Sequence, residues 1–247
     1  MARHPTVMLA CLPEAPDTVP GTAVASEADA EQAGAALVLG RRDGVLALWR
    51  PGGRETPLSV DFGSGQLGYR LAADRVRHER LVKAVGLPQP DQVLIDATGG
   101  LGRDASLLAM AGWPLVLIER NPVLHALLSD GLARAPAALA GQIRLLCADS
   151  ATWLAQPSSE ERVVYLDPMF PARDKSAAVK KELAWLQWLM PPAGEEEGAA
   201  LLAAARSQAR KVVVKRPLRA PDLGAALPTH RVTGKTVRFD VYHQPRR

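Results

Sequence analysis

The sequence predicts an α/β fold, with a mostly parallel, doubly wound sheet, an antiparallel hairpin at one edge and a small β-rich unit at the N-terminus. Three observations point there. Five near-continuous apolar runs, "QVLIDA", "PLVLIE", "IRLLCAD", "RVVYLDP" and "KVVVKRP", follow one another from residue 92, and helical patterns separate them. Strands apolar on both faces belong to a parallel sheet covered by helices on both sides. A glycine-rich turn follows the first run, and the final pair "HRVTG" and "VRFDVYH" flanks a Gly234-Lys235 turn.

In chain order, residues 5–12 read as a strand, and Pro13 to Gly34 as a loop followed by a short helix. "AALVLGRRDGVLALWR" has two apolar runs around Asp43-Gly44, the turn chemistry of a two-residue hairpin. "PLSVDFGSG" supplies another short strand. Residues 1–65 therefore form the expected N-terminal unit, and 66–247 the main domain; the alternative is that the early strands extend the main sheet. Residues 66–86 read as one basic helix carrying Arg70, Arg75, Arg77, His78, Arg80 and Lys83, stopped by Gly86 and Pro88. Further helices are expected over 103–111, 122–133, 150–155 and 176–189. Trp185 and Trp188, three apart on the last of these, are expected in the core.

Composition narrows the function classes. At 247 residues with 47% hydrophobic and 23% charged residues, the chain can build a full core. A formal charge of +4 is compatible with a nucleic-acid partner. Cys11 and Cys147 lie far apart and outside any CxxC pattern, which argues against a disulfide framework and for a reducing cytoplasm. The apolar stretch near the N-terminus is too short for a signal peptide, and no run approaches the ~20 residues that span a bilayer. His4, His78, His125, His230 and His243 show no metal-ligand spacing, so no catalytic metal is expected.

In such sheets the ligand sits beyond the carboxyl ends of the strands. "LIDATGGLGRDASLLAMAG" places Asp96, Gly100 and Gly102 at the first such end. Glycine lets the chain turn sharply there, and the following helix offers its unpaired amides to the ligand. The spacing Asp-x-x-x-Gly-x-Gly departs from the Gly-x-Gly-x-x-Gly of dinucleotide enzymes, which disfavours a nicotinamide oxidoreductase. The second strand ends in Glu119, where a carboxylate can accept both hydroxyls of a ribose. The third ends in Asp149-Ser150, suited to an adenine amine, and the fourth in "LDPMFP". The four together match a methyltransferase that uses S-adenosylmethionine; singly, each acid could be a helix cap or a surface charge.

Asp167-Pro168-Met169-Phe170 resembles the (Asp/Asn)-Pro-Pro-(Tyr/Phe) motif of methyltransferases that modify exocyclic amines of bases. Such an amine is a poor nucleophile because its lone pair is delocalised into the ring. A carboxylate at Asp167 and the Pro168 carbonyl can accept its two N–H bonds, and proline fixes the backbone so that the carbonyl points correctly. Phe170 can stack on the base, and transfer then depends mainly on positioning. Lys175, Lys180 and Lys181 follow the motif, and Lys215-Arg216 ends the fifth strand. These are candidate phosphate contacts, with a solvated helix face as the alternative for Lys180 and Lys181. The Arg75–Lys83 cluster reads equally as an amphipathic helix or an RNA clamp.

"DATGGLGRDASLLA", "LIERNPVLHALLSDGLARA", "YLDPMFPARDKSAAVKKEL" and "VVVKRP" resemble the RsmJ family of small-subunit ribosomal RNA (guanine-N2)-methyltransferases, over roughly residues 58–243. The resemblance implies a Rossmann-like class I methyltransferase fold, S-adenosylmethionine as donor, and N2-methylation of one guanosine near the 3′ end of 16S rRNA. The partner would be that rRNA or the 30S subunit. By matching motif positions it puts cofactor contacts on Arg103, Asp104, Glu119, Arg120, Asp149, Ser150 and Asp167, so that Asp167 has two candidate roles, holding the donor or polarising the amine. The chain departs from the family in lacking a glycine-rich basic stretch before the first strand, and its first 55 residues match poorly. Competing expectations are methylation of an exocyclic amine on another RNA or DNA base, and a non-catalytic RNA-binding protein on the same fold.

Overall fold

The computed structural model describes residues 8–168, 185, 188, 189 and 194–244. The chain opens with β1 (Leu9–Cys11), β2 (Thr22–Ala23), α1 (Glu27–Gln32), β3 (Leu37–Arg42) and β4 (Val45–Trp49). Ser26 caps α1 by accepting the Asp29 N–H at 3.2 Å. These strands form a sheet of their own in the order β2-β1-β3-β4 and do not extend the main one. Asp43 and Gly44 take φ of 52° and 78° in the two-residue turn between β3 and β4, as their residue types predict. "PLSVDFGSG" forms no strand; a single bridge joins Leu58 to Leu48.

Next come α2 (Gly65–Arg70), α3 (Ala73–Val76) and α4 (Arg80–Val85), where the sequence predicts one helix. Ala72 and Glu79 take extended ψ of 135° and break it. The reason is tertiary: Glu79 folds back to accept two hydrogen bonds from Arg70, at 2.7 and 3.0 Å, and Leu71 and Val76 are both buried.

The main alternation follows: β5 (Gln92–Asp96), α5 (Arg103–Met110), β6 (Leu115–Glu119), α6 (Pro122–Arg134), α7 (Ala137–Ala140), β7 (Ile143–Cys147), α8 (Ser150–Leu154), β8 (Glu161–Leu166), α9 (Glu195–Gln208), β9 (Lys211–Pro217), β10 (His230–Thr233) and β11 (Val237–His243). The expected helix over 176–189 lies outside the described residues except for Trp185, which is buried, and Trp188 and Leu189. Trp188 corrects the expectation of a core residue: it is exposed, with the Arg50 guanidinium 5.9 Å from its ring centre. α9 is absent from the sequence expectations, although Glu195–Glu197 in its first turn and the Ala-Leu run behind them are a helix signal.

The chain divides into two compact units. The first holds the residues up to Asp61 together with Asn121–Arg134, so that α6 joins the small sheet. Asp130 of α6 takes Arg41 at 2.8 Å and Arg134 at 2.9 Å, and Arg134 also donates to the Val60 carbonyl. Gly131 permits this approach, because a Cβ there would stand 2.5 Å from Val60.

The second unit holds the seven-stranded sheet, ordered β10-β11-β9-β8-β5-β6-β7. β5 to β9 run parallel, and β11 and β10 return antiparallel at one edge. Val93, Ile95, Val116, Ile118, Val164, Leu166, Val212 and Val214 share one face, packed against Leu202 and Ala205 of α9. The order reverses at β5, with β6 and β7 on one side and β8 and β9 on the other. That reversal opens a crevice at the carboxyl end of β5.

Candidate active site

After Asp96 the chain turns through Thr98, Gly99, Gly100 and Gly102 into α5. Gly100 and Gly102 have φ of 54° and 70°, where a side chain is strained. Gly99 is required for a different reason: a Cβ there would stand 3.0 Å from the Ile118 carbonyl oxygen and 3.1 Å from Glu119 Cβ. The turn therefore lies directly on β6. Each neighbouring strand end is tied to it. The Gly100 N–H donates to Glu119 Oε2 at 2.7 Å, and Ser150 Oγ donates to the Ala97 carbonyl at 2.7 Å. The Asp167 N–H donates to Thr98 Oγ1 at 2.7 Å, while Asp96 accepts the Thr98 N–H at 3.0 Å.

A second layer of contacts crosses the sheet. Lys215 Nζ lies 2.8 Å from both Asp104 Oδ2 and Asp167 Oδ2, and the Tyr165 hydroxyl donates to Asp104 Oδ2 at 2.6 Å. Burial pushes the Asp96 carboxyl up to about 7, and the nearby charges of Asp104 and Asp167 add to the effect. Asp167 is raised by burial too, with Lys215 working against the rise. Burial alone would lower Lys215, but its two carboxylates outweigh that and raise it. Desolvation first, then Asp104, holds the Tyr165 hydroxyl protonated. Among the described residues, Asp104 and Asp167 share the single Lys215 ammonium between them.

The structure thus gathers Asp96, Gly100, Gly102, Asp104, Glu119, Ser150, Asp167 and the buried Pro168 around one turn. Arg103 is exposed at the start of α5. Arg120, also exposed, pairs with Glu197 of α9. Asp149 caps α8 by accepting the Thr152 N–H at 2.8 Å, and hydrogen bonds from Thr152 hold its carboxyl below the usual range. Two of the expected phosphate contacts are corrected. Lys215 is committed to the two carboxylates. Arg216, its neighbour in a strand, faces the other way; it is buried, donating to the Pro221 carbonyl at 2.9 Å and lying 3.3 Å from Glu195. Phe170, Lys175, Lys180 and Lys181 fall outside the described residues. Thr98, Gly99 and Tyr165 are additions. The polar tyrosine inside the "RVVYL" run is the one signal that could have marked Tyr165.

A turn that leaves no room for a side chain, a buried carboxylate at the end of β6 and further carboxyl groups at the neighbouring strand ends fit a nucleoside bearing positive charge, as S-adenosylmethionine does. The comparisons with known proteins agree. Residues 25–244 match the family model described as "Putative SAM-dependent methyltransferase". The match begins inside the N-terminal unit, so the relationship reaches further than the motifs suggest. The ribosomal RNA small subunit methyltransferase J of Alcanivorax borkumensis is 54% identical over 241 residues, covering 96% of each chain, and that of Thioalkalivibrio sulfidiphilus is 44% identical over 225 residues, covering 86% of each. The crystal structure of an S-adenosylmethionine-dependent methyltransferase from Neisseria gonorrhoeae superposes with a TM-score of 0.70 at 27% identity, covering 96% of both chains.

Fold and site together define a class I methyltransferase whose cofactor is S-adenosylmethionine. Within that class, the chain belongs to the ribosomal RNA small subunit methyltransferase J family.

Proposed function

We propose that this protein methylates the exocyclic N2 amine of one guanosine near the 3′ end of 16S rRNA, acting in the cytoplasm on the free rRNA or on the 30S subunit. The reading is carried by Asp167-Pro168 at the end of β8, anchored to the glycine turn through Thr98 and to β9 through Lys215. The names of the relatives, which are ribosomal RNA methyltransferases, support the substrate class.

When bound, S-adenosylmethionine supplies a methyl group on a positively charged sulfur. Glu119 and Asp149 would hold its ribose and adenine, and Asp96, Arg103, Asp104, Arg120 and Ser150 would complete that side of the site. Asp167 then has a specific task. Lys215 holds its Oδ2, and Oδ1 accepts one N–H of the guanine amine. The Pro168 carbonyl accepts the other. With both N–H bonds directed away, the nitrogen lone pair faces the methyl group, and Phe170 stacks on the base. Forming the N–CH3 bond would break the donor's carbon–sulfur bond and leave S-adenosylhomocysteine, and the nitrogen's surplus proton would pass to the Asp167 carboxylate that accepts that N–H, so positioning supplies most of the acceleration. Lys175, Lys180 and Lys181 contact phosphates.

The experiment is methyl transfer to 30S subunits and to naked 16S rRNA, both lacking the native modification, followed by digestion and identification of nucleosides by mass. N2-methylguanosine is expected with the wild type and not with Asp167→Ala. A protein that binds S-adenosylmethionine but leaves both substrates unmodified would refute the proposed target.

A further inference from the structure

The basic segment before β5 has no role in the chemistry above, yet its surface is unusual. Residues 65–83 carry Arg70, Arg75, Arg77, Arg80 and Lys83 against Asp74 and Glu79, a surplus of three in a chain whose whole surplus is four. Leu71, Val76, Leu81 and Val82 face inward, while Arg75, Arg77, His78, Arg80 and Lys83 are exposed. Among them stands Tyr69, 61% exposed, with the Arg75 guanidinium 3.7 Å from its ring centre. An arginine lying on an exposed tyrosine ring offers a cationic stacking surface of the kind that takes a nucleobase.

This platform is also placed beside the crevice. α3 and α4 pack on α5, the helix that carries Asp104. Arg70, adjacent to Tyr69, is held charged first by its hydrogen bonds to Glu79, and the Asp104 charge adds to the effect. The break in the predicted helix matters here. A continuous helix would put Arg75 two residues beyond the turn above Tyr69; the extended Ala72 instead folds Arg75 back over the ring.

We propose that Tyr69 and Arg75 form a stacking platform for an unpaired base of single-stranded RNA flanking the target guanosine, with Arg77, His78 and Lys83 taking its phosphates. The proposal rests on RNA being the substrate. It does not depend on which nucleotide is methylated. Stacking gives affinity without reading sequence, and the cations make that affinity salt-dependent.

Binding of a fluorescein-labelled single-stranded RNA of about 12 nucleotides, followed by anisotropy at two salt concentrations, tests it directly. Tyr69→Ala should weaken binding about tenfold, and Tyr69→Phe should bind like the wild type. The double variant Arg75→Ala/Arg77→Ala should weaken binding and flatten its salt dependence by about one counterion, that of the Arg77 phosphate contact. S-adenosylmethionine affinity by calorimetry, and the unfolding midpoint, should not move in any of these variants. Unchanged RNA affinity in Tyr69→Ala and in the double variant would overturn the platform. So would variants that bind naked RNA normally but fail on 30S particles, because the surface would then meet a ribosomal protein. If the variants lose RNA affinity while the wild type makes no N2-methylguanosine, the platform stands and the proposed target falls.

Discussion

Lys215 is the only described cation bridging the two carboxylates on the site face of the sheet, and replacing it by methionine isolates that charge. Its ammonium lies 2.8 Å from Asp104 and from Asp167. At that distance and an effective dielectric near 20, each contact carries on the order of 6 kcal/mol of raw attraction. Desolvation of the ammonium takes back much of it, and so does water reaching Asp167, whose side chain is 39% exposed. A net loss of about 2–3 kcal/mol is expected for Lys215→Met at pH 8. Lys215 has a raised folded-state value, so its own contribution is complete below the ordinary lysine range and disappears only as pH rises through that raised value. Between pH 5 and 8 it stays charged, and any pH dependence of the loss belongs to the carboxylates. Asp167 and Asp96 are both raised, so in the variant they take up protons as pH falls and the repulsion is relieved. Urea unfolding at pH 5 and pH 8 should therefore show a smaller loss in acid, and Lys215→Arg should recover part of it at pH 8. Methyl transfer should fall about tenfold or more in Lys215→Met, because Asp167 loses its anchor. An equal loss of stability at both pH values would refute the electrostatic account and leave only packing.

The same geometry makes further predictions. Gly99→Ala should cost about 1–3 kcal/mol and weaken S-adenosylmethionine binding in calorimetry, since its Cβ meets backbone that cannot give way. Asp96 holds a proton in the folded protein up to about pH 7 that the unfolded chain has released, so it favours the folded state in acid and loses that contribution as pH rises. Asp96→Asn should accordingly gain on the wild type between pH 5 and pH 8, by on the order of 2 kcal/mol in thermal or urea unfolding. Arg216→Ala should lower stability by about 2 kcal/mol while leaving the salt dependence of RNA binding unchanged, the reverse of what a phosphate contact would do.

The legible part of the site was local. Asp96, Glu119, Asp149 and Asp167 stand at or just beyond strand ends, and strands of buried type are visible as apolar runs, so their carboxyl ends can be located without knowing how they pair. The glycines are readable because the turn demands a backbone that only glycine adopts freely. Lys215 was harder. Its contact with Asp104 spans 111 residues and that of Tyr165 spans 61, and nothing within either segment announces the other. Arg216 shows the same limit from the opposite side: alternation says that Lys215 and Arg216 face opposite ways, but not which face holds the site.

The sequence predicts one basic helix over 66–86 because propensity favours continuity, whereas the Arg70–Glu79 pair and two separately buried side chains favour a break. Likewise α6 reads as an ordinary crossover helix, and tertiary contacts join it to the first unit: the Arg41–Asp130 ion pair, the Leu46 N–H on Asp130 and the close approach of Gly131 to Val60. By itself the sequence determined what short-range sterics and period control: the strands, the glycine turn and the acids that follow each strand. Tertiary structure alone decided which charges meet, because an ion pair depends on where two distant segments come to rest, and that is set by the packing of the whole sheet.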